Sequence, residues 1–212
     1  MVIYLHGFAS GVTSTKATFI GKALRQQGLD FRAPDLNLPD FSTLTVTRML
    51  QRTRTIIDDA PGPVTLIGSS LGGFVAVNAA AAWPDRIAKL VLLAPALDFG
   101  SPAMTRMGDT ALDDWKSTGT MNVFHFGYGR FMPLHYALYE DARSYDAMHA
   151  DVPMPVLVFQ GRHDDVVDPA TVERWASSRP NVELHLLNDG HQLTASLPEM
   201  TRVIGEFVNP RG

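Results

Sequence analysis

The chain has 212 residues, 45% hydrophobic and 19% charged, with a formal net charge of −4 and no cysteine. That balance describes one globular domain over 1–212 and excludes a disordered chain, disulfides, thiolate metal sites and a cysteine nucleophile, while a weakly acidic protein offers no field for nucleic acid. No apolar run reaches the roughly 18 residues of a membrane helix, and the opening MVIYLHGF lacks the charged-then-apolar pattern of a secretory leader, so a cytoplasmic protein with no membrane partner is expected.

In chain order, strands are predicted at Val2–Leu5, weakly at Leu29–Ala33, then at Val64–Gly68, Lys89–Leu93, Pro155–Gln160 and Val182–Leu187. Amphipathic stretches fall between most of them, the alternation of βαβ units and a parallel sheet. A first helix over Ser14–Gln27 stops at Gly28, where a left-handed C-terminal cap belongs, and a second runs from near Ser42 to just before Ala60-Pro-Gly-Pro63. A third, Gly73–Trp83, is made mostly of small residues and ends at Pro84. From 96 to 151 no convincing strand is legible, yet Trp115, Phe124, Phe126, Tyr128, Phe131, Tyr136 and Tyr139 cluster there, which reads as a helical, cap-like insertion. The last helix opens on Ser196-Leu-Pro-Glu199, a capping-box pattern, and carries Met200, Val203, Ile204 and Phe207 on one face.

The strand at Val64–Gly68 runs into Gly68-Ser69-Ser70-Leu71-Gly72 and then into a helix. A serine on so sharp a strand-to-helix turn sits on strained backbone, and side chains at Gly68 or Gly72 would collide with the neighbouring strand or helix. The hydroxyl of Ser70 is thereby presented at a helix N-terminus, where backbone N–H groups favour developing negative charge.

Tyr4-Leu5-His6-Gly7-Phe8, followed by Ser14-Thr-Lys16-Ala17 and by GSSLGG, resembles the small bacterial YqiA-like esterases of the α/β-hydrolase superfamily. The likeness extends over nearly the whole chain. It implies a compact α/β-hydrolase fold, a mostly parallel sheet of about six strands flanked by helices, trimmed because the chain begins on the strand that leads into the oxyanion loop. It also implies that the backbone N–H groups of Phe8 and Leu71 receive the oxyanion. His6 is expected to be a structural histidine bonding its own loop.

The fold runs serine, acid, histidine. Of seven histidines, His6 precedes the serine, His125, His135 and His149 lie in the insertion, His163 abuts the acid loop and His185 alternates within a strand. His191, in the turn Asn188-Asp-Gly-His191 after the last strand, is the expected base. Gly161-Arg-His-Asp164-Asp165-Val-Val-Asp168-Pro169 offers three carboxylates, of which Asp168 before proline is a helix N-cap, leaving Asp164 and Asp165 open. The family pattern Gly-x-x-Asp-x-x-Val falls on Gly161, Asp164 and Val167, and so favours Asp164. A metal site from His163, Asp164, Asp165 and Asp168 fits by ligand type but lacks a second histidine at helical spacing.

These parts imply acyl transfer without a cofactor, on a small-molecule ester. A short acyl chain is expected because the insertion mixes its aromatics with Asp109, Asp113, Asp114, Lys116, Arg130, Glu140, Asp141 and Arg143, a poor composition for a membrane-facing lid. A thioesterase is the alternative within enzymes, and a binding protein that has lost turnover the alternative outside them.

Overall fold

The computed structural model describes residues 1–101 and 109–209, so residues 102–108 of the insertion and the Asp109 side chain lie outside what is described. Strands β1 (Val2–Leu5), β2 (Phe31–Arg32), β3 (Val64–Ser69) and β4 (Ile87–Leu93) come first, then β5 (Thr120–His125) and β6 (Arg130–His135), then β7 (Val156–Gly161) and β8 (Val182–Leu187). Six of these form a parallel sheet in the order β2-β1-β3-β4-β7-β8, and β5 and β6 form a separate antiparallel pair. Helices α1 (Thr15–Gln26), α2 (Val46–Asp58), α3 (Leu71–Ala82), α4 (Asp109–Thr118), α5 (Ala137–Ala142), α6 (Pro169–Ser177) and α7 (Leu197–Val208) complete the described elements.

Every residue of β1, β3 and β7 is buried, which is why these segments read as apolar runs and not as alternating ones. Alternate side chains still serve different layers. Leu5, Leu66, Leu92 and Val158 pack with α2, α3 and α6, whereas Tyr4, Ile67, Val91 and Phe159 pack with Ile20 and Leu24 of α1 and Met200 and Ile204 of α7. Among the described residues, no helix is long and apolar enough to cross a membrane.

The chain leaves β1 toward β2 on one side and reaches β3, β4, β7 and β8 on the other. Strand order therefore reverses between β1 and β3, and ligands of open α/β sheets bind at the carboxyl ends of the strands beside such a reversal. The turns after β1 and β3 are the ones that carry Phe8 and Ser70.

Helix α1 ends as expected: Gly28 takes φ +80, and the bonds Gly28 N to Arg25 O and Leu29 N to Leu24 O close a Schellman turn. Elsewhere the sequence reading needs correction. The second helix begins at Val46, capped by Thr45, because Phe41–Thr43 form a separate 3-10 turn. Ser196 precedes α7 but its side chain makes no capping bond. The insertion contains, besides helices, the β5–β6 hairpin that no pattern had suggested. Met121 and Val123 face inward between exposed Thr120 and Asn122, a period of two, but Phe124 and Phe131 pair on the outer face and Pro133 interrupts β6. An aromatic pair facing solvent and a proline in a strand both conceal the alternation that identifies a strand.

Candidate active site

Ser70 stands between β3 and α3 at φ 53 and ψ −119, a conformation an L-residue holds only when its surroundings compel it. They do so through the Ser70 amide, which donates to Leu93 O at 2.9 Å, and through the Ser70 carbonyl, which accepts from Gly73 N at 2.8 Å and Ala96 N at 3.1 Å. A Cβ at Gly68 would lie 2.7 Å from Gly73 Cα, and one at Gly72 would lie 2.6 Å from His6 O, so the two glycines let α3 and β1 close on the turn. Ser69, one residue earlier, is buried and its hydroxyl bonds to the Tyr4 phenol, away from the side Ser70 faces. Burial pushes that phenol up to about 12 against the hydrogen bonds to Ser69 and Ser14.

His191 Nε2 lies 3.1 Å from Ser70 Oγ, and His191 Nδ1 lies 2.9 Å from Asp164 Oδ2. The three residues come from the turns after β3, β8 and β7. Asp164 is fully satisfied: Oδ1 accepts from Val166 N and Val167 N, both at 2.8 Å, and Oδ2 accepts from Gln160 Nε2 at 2.9 Å. Burial pushes its carboxyl upward, but the hydrogen bonds from His191, Val167 and Val166 outweigh that and hold it below the usual carboxylate range. Asp165 is exposed. Asp168 caps α6 through Ala170 N at 3.1 Å, as its place before proline predicts, and His163 bonds Asn188 Oδ1 at 2.8 Å. Among the described residues no group of three or more histidines and carboxylates gathers to hold a metal.

The turn that carries His191 is braced from the start of α7, from the turn after β7 and from α1. Asp189 accepts from Gly190 N at 2.8 Å and from Ser196 N at 2.9 Å, and the Ser196 hydroxyl also bonds this carboxylate, which explains why that serine does not cap α7. His163 N donates to Asp189 O at 3.0 Å. A Cβ on Gly161 would meet Gly190 O at 2.6 Å, so the turns after β7 and β8 touch backbone to backbone. From α1, Lys16 Nζ donates to Gln192 O at 3.0 Å.

Phe8 lies in the turn after β1, and Leu71 follows Ser70 directly. Leu71 begins α3, so its N–H has no carbonyl within the helix. Gly7 packs so closely on the serine turn that a Cβ there would lie 3.2 Å from Ser70 Cβ, which brings the following residue, Phe8, beside Ser70. His6 is buried, with Nδ1 3.0 Å from Gly7 O and Nε2 accepting from Leu36 N at 3.0 Å. Two such bonds fix one neutral tautomer, so Nε2 is an acceptor and its 3.5 Å approach to Asp35 is no ion pair. The tip of the β5–β6 hairpin reaches the same loop, where Phe126 N donates to Ala9 O at 2.8 Å.

Among the described residues, the non-glycine positions with positive φ are Ala9, Ser70, Ala94 and Leu193, on the loops that follow β1, β3, β4 and β8. Backbone strain thus falls on the carboxyl side of the main sheet, where the Ser70 turn lies. Sequence reasoning missed Gln160, Asp189 and the bond made by Lys16. Gln160 carried a signal, as the one polar residue in Val156-Leu-Val-Phe-Gln160; Asp189 carried none beyond its turn-forming type.

Residues 1–208 match the family described as Uncharacterised protein family (UPF0227). The palmitoyl-protein thioesterase ABHD10, mitochondrial, of Bos taurus is 26% identical over 178 residues, covering 78% of this chain and 57% of its own length. The chain therefore spans just over half the length of the curated relatives it matches. Two solved structures share the fold: a putative hydrolase from Agrobacterium vitis, with TM-score 0.81 and 24% identity over 98% of this chain and 87% of that one, and mouse α/β hydrolase domain-containing protein 10, with TM-score 0.78 and 23% identity over 98% and 88%. On a match that takes in nearly every residue, the chain belongs to UPF0227, YqiA-like members of the α/β-hydrolase superfamily.

Proposed function

We propose that this chain is a serine hydrolase that cleaves short-chain carboxylic esters through an acyl-enzyme on Ser70. The observation that carries the reading is the unbroken hydrogen-bond chain from Ser70 Oγ through the His191 ring to Asp164. With an ionised Asp164 accepting at Nδ1, the imidazole keeps its proton there and leaves Nε2 free to accept another. Ser70 Oγ attacks the ester carbonyl as its proton passes to His191 Nε2. The tetrahedral oxyanion is received by the N–H groups of Phe8 and Leu71. Collapse expels the alcohol, which takes the proton from His191, and water repeats the sequence to release the acid. No cofactor enters any step.

The charged residues interspersed with the aromatics along the sequence of the insertion, among them Asp113, Lys116, Arg130 and Glu140, favour a small substrate over a lipid surface. A thioester is the second reading, favoured by the thioesterase name of the ABHD10 relatives, since the same attack serves either bond. A fluorophosphonate probe should label Ser70 stoichiometrically. Turnover of p-nitrophenyl esters from acetate to palmitate should peak between about two and eight carbons, each buried methylene adding roughly 0.8 kcal/mol until the pocket wall is met. No labelling sinks the serine-hydrolase reading; labelling with rates still climbing at palmitate replaces the short acyl chain with a long one, and acyl thioesters preferred at equal chain length shift the reading to the thioesterase.

A further inference from the structure

We propose that Lys16 is a positioning residue for the base: its ammonium pins the turn that carries His191 and counters the negative charge of Asp164. The inference rests on the serine-hydrolase reading of the site. Lysine is among the residues least often buried, yet Lys16 is 8% exposed and its Nζ reaches across 176 positions of sequence to Gln192 O at 3.0 Å. Gln192 is bonded directly to His191, so this carbonyl lies one peptide from the ring that must meet Ser70.

The fold has no need of a cation there. Helix α1 is already anchored by Ala17, Ile20 and Leu24, and an apolar side chain of the same length would avoid the cost of burying a charge. That cost is visible in Lys16 itself: burial draws its ammonium down to about 8, against the opposing pull of Asp164 and Asp189. These two carboxylates, from the turns after β7 and β8, are the charged groups that face it; Asp189 shares its turn with His191, and Asp164 bonds the His191 ring. The imidazolium formed in each turnover must hand its proton to the leaving alcohol, and a cation held at the neighbouring residue opposes the attraction of Asp164 for that charge, so the same contact anchors the turn and bears on the proton transfer.

The test uses the full chain with a short p-nitrophenyl ester as the probe. K16M should lower kcat/KM roughly 10- to 100-fold through loss of the turn's anchor, and should move the acid limb of its pH profile upward by about 0.5 to 1 pH unit, because removing a cation favours the imidazolium. K16R, which keeps the charge, should return the limb to the wild-type position. K16Q, neutral but still a donor, gives the same reading where methionine does not fold: it should recover part of the rate and leave the limb displaced. A limb that stays at the wild-type position in the neutral variants, whatever their rate, overturns the proposal. Fluorophosphonate labelling of the wild type separates the two levels: failure to label removes the serine-hydrolase reading and this inference with it, whereas normal labelling with an unmoved limb removes the role of Lys16 alone.

Discussion

The turns at the carboxyl end of the main sheet and the hairpin of the insertion handle their residues in opposite ways. Ser70 and Asp164 follow the fully buried strands β3 and β7, and the strained backbone at Ser70 is held by hydrogen bonds with Leu93 and Ala96 at the end of β4. On the hairpin, Phe126 is 76% exposed and Phe131 is 69% exposed, and Phe124 touches both edge-on at ring distances of 5.3 and 5.4 Å. Residues mixed with charges along the sequence are thus sorted in space into an aromatic patch. One region is held on every side, whereas the other packs its inner face into the core through Met121, Val123 and Leu134 and leaves its outer face to solvent. The first therefore suits the chemical step, and the second, tied to the first at Phe126 N and Ala9 O, suits discrimination among substrates.

The sharpest way to break this division is at its centre. S70A should lower kcat by at least about 10⁴-fold while the protein unfolds at the same denaturant concentration as wild type. A residual rate of a few per cent would mean that another nucleophile acts. D164N should follow at roughly 10³- to 10⁴-fold, because an amide no longer fixes the imidazole tautomer. D165N, with an exposed side chain, should stay within about threefold of wild type. The reverse ranking would move the acid by one residue. S69A should cost far less than S70A, since it loses a bond to Tyr4 and nothing that faces His191.

How much of this was legible follows the same division. Strands β1, β3 and β7 could be read because burial on both faces writes an apolar run, and Ser70 because glycines must stand where α3 and β1 crowd the turn. Asp168 could be set aside because proline after aspartate has a local meaning. From the sequence, the choice of Asp164 over Asp165 rests on the family pattern alone, because what separates them physically is which one points inward to Gln160 and His191. Ser196 misled for a related reason: its local signal was a cap, but Asp189, seven residues away, claims its amide and hydroxyl. Lys16 lies further still from any local rule, since its partner is 176 positions along the chain.

A smaller effect tests the cost assigned to the buried cation. Lys16 has an ordinary value of 10.5 in the unfolded chain and about 8 in the folded one. Between those values the unfolded chain binds a proton that the folded chain has released, so unfolding free energy should rise with pH across the window, by on the order of 1 kcal/mol per pH unit. Below pH 8 both states are protonated and the contribution is flat. K16M should lack this rise and should be no less stable than wild type at pH 7. Parallel urea titrations of the two proteins at pH 7, 8 and 9.5 check it, and identical slopes against pH would show that the lysine is not strained by its burial.

The smallest expected effect lies at the hairpin, and it decides what the aromatic patch is for. Phe126 and Phe131 bury little of their surface, so F126S and F131S should each change unfolding free energy by no more than about 0.5 kcal/mol. Neither side chain is bonded to the Ser70 turn, so labelling by a small fluorophosphonate should be unchanged. The informative quantity is kcat/KM against acyl length. If substrates are short, the acyl group is satisfied before it reaches the outer face of β5 and β6, and both variants should follow wild type within about twofold from acetate to octanoate. If the patch receives a long chain, the loss must grow with length, because each methylene that lay on an aromatic ring contributed its share of transfer free energy. A loss that is absent at acetate and passes roughly tenfold at palmitate would assign the hairpin to acyl recognition and replace the short-chain proposal with a long-chain one, leaving the roles of Ser70, His191 and Asp164 as they stand.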